Sequence, residues 1–228
     1  MALDIGKAFK FPFADPNWVV KVIIGTVLSW IPIVNFFSFG NAYRVFKNVL
    51  NKGEPALLEW DDWGGFFIDG LKVFAIYLIY MIVPILLMFA GQGLIGSAMY
   101  KMAMGGSGGG VMALGWIVYI IAIILSICLG IVMPMAVAYF AKNNEDFAAI
   151  FRFKEIIASV FKVIGDYILV IAIAVGVGIV FAVTFMIIIG FILLPISIFY
   201  LMVVFATLYG QAFAPAFDGA PAAPAKKA

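Results

Sequence analysis

Five acids, Glu54, Glu59, Asp61, Asp62 and Asp69, fall within sixteen residues of this chain, and Trp60 and Trp63 are interleaved with them. Carboxylate oxygens at that density are the ligand type that calcium or magnesium takes. Their spacing, however, matches no calcium loop. The same residues read as the start of an interfacial helix, with Asp61 or Asp62 as its cap and the tryptophans as anchors at headgroup level. The acids would then pair with Arg44, Lys47 or the bases of a second charged stretch. The structural reading is the expectation taken here, with no metal and no cofactor.

Other reactive chemistry is sparse. The chain has no histidine, which removes the commonest metal ligand and proton carrier. Its one cysteine, Cys128, lies inside an apolar run, so no disulfide forms within the chain. Gly105–Gly110 is glycine-rich but is followed by no Lys-Ser/Thr pair and reads as a flexible turn. No arrangement suits nucleophilic catalysis, so the chain is expected not to be an enzyme. A different candidate is the run Trp30-Ile31-Pro32, followed by Asn35, Ser38 and Asn41, which makes Pro32, Asn35, Ser38 and Asn41 candidate gate or pore residues.

These residues are positioned by long apolar segments. Val22–Tyr43, Val73–Tyr100, Gly110–Ala141 and the fifty-one residues Tyr167–Phe217 hold no Asp, Glu, Lys or Arg. A hydrocarbon core of about 30 Å takes roughly 20 apolar residues of helix, so the last run is long enough for two passes. The chain is 66% hydrophobic and 11% charged, with mean hydropathy +1.17. That excludes an ordinary soluble domain, which carries about 25% charged residues. The expected fold is an all-α polytopic transmembrane bundle with full spans near 73–99, 111–141, 167–189 and 192–213, the last two joined by a turn near 190–195. Ala174, Gly178 and Ala182 are four apart, which allows close helix approach. An N-terminal segment, 19–43, is either a re-entrant hairpin turning at Pro32 or a fifth span. A cleaved signal peptide is not expected, because the apolar run is long and lacks an A-x-A site.

Lys and Arg placement selects between these threadings. With the hairpin, thirteen of the 14 Lys and Arg lie on one side and Lys101 alone on the other. The hairpin is therefore preferred, with both charged stretches and the C-terminus cytoplasmic. Residues 1–213 form one membrane-embedded domain and 214–228 an Ala/Pro-rich disordered tail.

The second charged stretch opens with Asn143-Asn144-Glu145-Asp146, which suits a helix start. Phe147, Ile150, Phe151, Ile157, Val160, Phe161 and Ile164 then recur at helical spacing, opposite Arg152, Glu155, Ser159, Lys162 and Asp166. This predicts an amphipathic helix lying on the cytoplasmic leaflet, with Lys154 snorkelling. Trp18, Trp60, Trp63, Arg152, Lys154 and Lys162 are the expected interface anchors.

Four segments carry a resemblance. They are Asp15-Pro16-Asn17-Trp18 with Lys21 and Gly25; Pro55 to Trp63 leading to Asp69-Gly70; Phe151 to Ile156 running to Gly165-Asp166-Tyr167; and Phe199-Tyr200 with Leu208-Tyr209-Gly210-Gln211. Over about residues 3 to 213 the chain resembles an uncharacterised family of polytopic prokaryotic integral membrane proteins, catalogued as a domain of unknown function. The resemblance implies a helical membrane domain and nothing about activity. The expected function is a scaffold or accessory subunit of a membrane complex, meeting lipids, partner proteins or further copies of itself, and no nucleic acid. The alternative is a passive channel, or a transporter of lipid or apolar solute, gated at Pro32. Ionisable groups deep in the spans are absent, which argues against an ion-coupled pump.

Overall fold

The computed structural model describes residues 3–186 and 189–218, with side chains described for 3–184 and 197–218. The helices are α1 (Ile5–Lys10), α2 (Trp18–Trp30), α3 (Asn35–Leu50), α4 (Trp63–Ala103), α5 (Gly109–Lys142), α6 (Phe153–Lys162), α7 (Ile164–Met186) and α8 (Ile189–Phe213). No strand occurs among the described residues. Four helices, α4, α5, α7 and α8, have the length and apolarity to cross a membrane. The protein is an all-helical, multi-pass membrane bundle.

It divides into two compact units. The first comprises the described residues up to Phe74 and from Met135 onward; the second is Ala75–Pro134. Within the first, Pro32 ends α2. It has no N–H to donate and disfavours helical backbone at the residue before it, so Ile31 takes an extended conformation, ψ 116°. Ile33 follows with φ 71°, an unfavourable left-handed conformation for a β-branched residue. The chain reverses there, and the Ser38 hydroxyl donates to the Gly25 carbonyl at 2.8 Å. Residues 19–43 therefore fold as a hairpin of two packed helices. With 13 residues in α2, its arm is about 20 Å long.

Helix α3 then meets the start of α4 in antiparallel register. Gly40 lies against the Phe66 carbonyl, and Gly70 against the Phe36 carbonyl. Phe36 and Phe37 pack their rings on Phe67, Phe74 and Trp63 at 5.1–5.7 Å. Helix α8 forms the centre of this unit, with α1, α2, α3 and α7 against it. Its Phe199 and Val203 join Phe11, Val22, Ala42, Val45 and Leu57 in the core.

Several boundaries differ from the sequence reading. Helix α4 begins ten residues before the expected span, because the Asp62 carboxylate caps it by accepting the Gly65 N–H at 3.0 Å and nothing interrupts the helix afterwards. Residues 190–195, expected as a turn, are helical within α8, and residues 187–188 lie outside the described residues. The helix expected through 143–164 is broken into a 3-10 turn, Phe147–Phe151, then α6, then the start of α7. Asn144 and Glu145 have φ of 55° and 59°, and Asp146 is the cap, accepting the Ala148 N–H at 3.0 Å. Ala214–Phe217, at the start of the expected tail, form a 3-10 turn with Ala214 and Ala216 buried, and 219–228 lie outside the described residues.

In the second unit, the C-terminal part of α4 and the N-terminal part of α5 pair as antiparallel helices across the 104–108 turn, where Gly105 supplies φ 80°. They cross at Gly91 and Gly115, where a side chain at Gly91 would stand 2.9 Å from the Tyr119 nitrogen and 3.0 Å from the Gly115 carbonyl. The glycines used for close approach thus include Gly40, Gly70, Gly91 and Gly115, with Gly25 against the Phe199 ring and Gly210 against Val49. At Gly178 no described atom lies within 4 Å, so the Ala174, Gly178, Ala182 row forms no such contact there.

Candidate functional site

Two charged constellations stand out, both in the first unit. One lies at the open end of the α2–α3 hairpin. Lys21 is 4% exposed, and its ammonium sits 2.6 Å from Asp15 and 2.6 Å from Glu59, with the Leu57 carbonyl at 3.4 Å. A lysine in an apolar helix is tolerated only when it is paired in this way. The Trp60 indole donates to the Lys21 carbonyl at 3.1 Å, fastening the connection after α3 to the side of α2. Trp60 also stacks on Trp63 at 5.7 Å and meets Phe199 of α8 at 5.4 Å.

The second constellation joins α3, α4 and the turn after α5. Arg44 bridges Asp62 and Asp69, each at 2.7 Å, and covers the Phe66 ring at 4.6 Å. Asp69 also accepts from Lys72 at 3.1 Å. Glu145 then takes Lys72 at 2.5 Å and Lys47 at 2.6 Å, with the Tyr43 hydroxyl at 3.5 Å. Lys52 pairs with Asp218 at 2.6 Å, so the end of α8 lies beside the loop after α3. Lys7 pairs with Glu54.

Four of the five clustered acids therefore meet bases. Arg44 is one of them, as expected, but Lys47 turns to Glu145, and Arg152 pairs locally with Glu155 at 3.8 Å. Among the described residues, no three Asp, Glu, His or Cys groups converge as a metal site. These acids are already neutralised by ammonium and guanidinium groups, an arrangement that fastens helices together.

The electrostatics predict a pH response. Lys21 holds Asp15 below the ordinary carboxylate range, Arg44 does the same for Asp62, and Lys52 for Asp218. Burial would raise Glu145, but hydrogen bonds from Lys47 and Lys72 outweigh it and leave it lowered. A group lowered on folding adds stability above its unfolded value and loses it as pH falls through the folded one. The ordinary values here are 3.8 for Asp and 4.5 for Glu, and no histidine titrates above them. The thermal midpoint in detergent should thus be flat from about pH 8 to about pH 5.5 and fall below about pH 4.5. A fall between pH 7 and 5.5 would contradict this assignment.

Of the candidate gate or pore residues, Pro32 lies in the hairpin turn and Asn35, Ser38 and Asn41 lie three residues apart along α3. Pro32 is exposed at the hairpin tip. Asn35 is half-buried, with its carbonyl oxygen unpaired. Ser38 is used on Gly25, and Asn41 is buried with neither amide atom paired. Gln211, in α8, accepts from the Asp4 N–H at 2.9 Å. Trp18 is half-buried, edge-on to Phe13 at 4.8 Å, while Trp63, Arg152, Lys154 and Lys162 are exposed. Trp60, like Trp18, is half-buried and packs against the core of the unit.

Sequence reasoning missed two groups. Lys21 is one, although a lone lysine amid Val19, Val20, Val22 and Ile23 signals a buried partner. Glu145 had been placed as a helix-opening acid. Its partners are 98 and 73 residues away in sequence, and no local pattern reveals them.

Residues 24–190 match a family described as a protein of unknown function, DUF4013. No curated protein and no solved structure matches.

Proposed function

The chain belongs to the DUF4013 family, whose function is unknown, and we propose that it is a non-enzymatic scaffold or accessory subunit of a complex in the prokaryotic cytoplasmic membrane. The charged end and the C-terminus face the cytoplasm, and the α2–α3 hairpin is re-entrant. The observation that carries this reading is the fate of the polar groups in the apolar helices. A pore requires several of them to face one cavity. Here Ser38 fastens α3 to α2, Gln211 fastens α8 to the entry of α1, and Gln92 belongs to the other unit.

The placement of the bases supports the orientation. Lys47, Lys52 and Lys72 lie at the same end as Glu145 and Asp218, whereas Lys101 sits beside the Gly-rich turn. Cytoplasmic ends carry the excess of Lys and Arg. At the cytoplasmic end α6 lies as an amphipathic interfacial helix, with Lys154 and Lys162 toward the headgroups.

Purification from the native membrane in mild detergent or nanodiscs tests the scaffold role. The expected result is a companion membrane protein held at a constant ratio through two chromatographic steps. A chain that emerges alone, and that passes solute when reconstituted in vesicles, would overturn it in favour of the channel.

A further inference from the structure

Helix α6 has three faces rather than two. At about 100° per residue, Ile156, Ser159, Val160 and Val163 share one sector, and all four are buried. Phe153, Ile157, Phe161 and Ile164 share the next, and all are exposed, Phe161 by 68%. Lys154, Glu155, Ala158 and Lys162 take the third, also exposed. The first sector holds α6 to its own unit and the third suits water and headgroups. The middle sector is an exposed apolar stripe. Val163 alone separates α6 from α7, a helix able to cross the membrane, so the stripe can lie no deeper or farther than the near surface of the bilayer. Arg152, Lys154 and Lys162 against Glu155 leave this surface net positive, complementary to anionic headgroups.

The hairpin loads the same leaflet. Its open end carries Lys47, paired with Glu145 in the stretch that leads into α6. From Lys21, held by Asp15 and Glu59 at that end, to Trp30 the arm rises about 14 Å, about half of a hydrocarbon core of about 30 Å. Trp30, Ile31 and Ile33 at its tip are exposed and apolar. Both elements then add their volume mainly to the leaflet at the charged end.

We propose that α6 and the α2–α3 hairpin form a one-leaflet wedge whose partner is a convex, loosely packed, anionic leaflet on the charged side. The wedge rests on the interfacial placement of α6 proposed above. It gives the protein a preference for curved membrane and, in a complex, a means of directing its partners there.

The test uses the full chain with Cys128→Ser and Asp61→Cys, reconstituted in phosphatidylcholine with phosphatidylglycerol. Vesicles of about 30 nm and about 200 nm diameter are compared, and an impermeant maleimide counts the chains whose charged end faces outward. The wedge should raise the outward-to-inward ratio about threefold or more in the small vesicles, where the outer leaflet is convex. Phe161→Ser should reduce that bias while leaving the thermal midpoint near the parent's. Equal ratios in the two vesicle sizes overturn the wedge, and this comparison needs no variant in α6. A nitroxide at Ile157→Cys, in the Cys128→Ser background, separates the two levels of the argument. Access to oxygen with equal ratios defeats the wedge alone, whereas preferential access to a water-soluble nickel chelate defeats the interfacial placement as well.

Discussion

Gly40→Ala and Gly70→Ala are each expected to destabilise the chain by about 3 kcal/mol, the upper end of what overpacking costs. The two glycines are the contact points of α3 and α4. Phe36 faces Gly70, Gly40 faces Phe66, and Arg44 reaches Asp62, so the antiparallel register advances one helical turn at a time. A methyl at either glycine would overlap the facing carbonyl oxygen, of Phe66 for Gly40 and of Phe36 for Gly70. A flexible side chain could turn aside, but a carbonyl within a helix cannot, so the helices must separate. Separation also lengthens the Arg44 bridges to Asp62 and Asp69 and opens the ring contacts of Phe36 and Phe37. Gly96→Ala and Gly165→Ala are the controls, since nothing lies within 4 Å of either position, and both should unfold near the parental midpoint. Thermal unfolding of the purified variants in one detergent decides the matter. A Gly40→Ala midpoint as high as that of Gly96→Ala would mean the helices do not touch there.

The contrast between those glycines indicates what a sequence alone can reveal. Apolar runs of twenty or more residues between charged stretches identified the membrane helices, because bilayer thickness imposes that length on any spanning segment. The break at Pro32 and a cap at Asp61 or Asp62 were legible too, since proline and capping acids act on their immediate neighbours. That the capped interfacial helix runs unbroken into the span was not legible, because the segment from Trp63 to Lys72 is rich in glycine and charge. Its helix is held by tertiary contacts at Gly70 and Arg44 rather than by its own composition. Likewise, the periodicity of Phe147 to Ile164 showed one apolar face, whereas the folded chain divides it, burying Ile150, Ile156 and Val160 and leaving Phe151, Ile157 and Phe161 open. Periodicity reports that residues share a face; it does not report whether protein or lipid covers it. The candidate site was the least legible part, because an ion pair such as Lys47–Glu145 depends on how distant helices stack.

Lys21 offers the sharpest test of the site. Lys21→Met keeps the apolar stem and removes the charge, leaving Asp15 and Glu59 facing a thioether. Removing one partner of a fully buried pair costs about 3–5 kcal/mol, because the other charge stays desolvated. Here the cost should be smaller, about 2 kcal/mol, since the Glu59 side chain is 66% exposed and can rehydrate, whereas that of Asp15 is 18% exposed. Converting the acids as well, in Lys21→Met with Asp15→Asn and Glu59→Gln, removes the uncompensated charge and should recover part of that loss, so the triple variant unfolds above the single one. The pH profile supplies a second readout. Without Lys21, Asp15 no longer has the donor that holds it low, so its share of the acid-side loss disappears, and stability should fall less below about pH 4.5 in Lys21→Met than in the parent. An exposed ion pair would behave differently, with a loss below about 1 kcal/mol and no recovery in the triple variant. That outcome would remove Lys21 from the interior and leave the hairpin fastened through Trp60 and Ser38 alone.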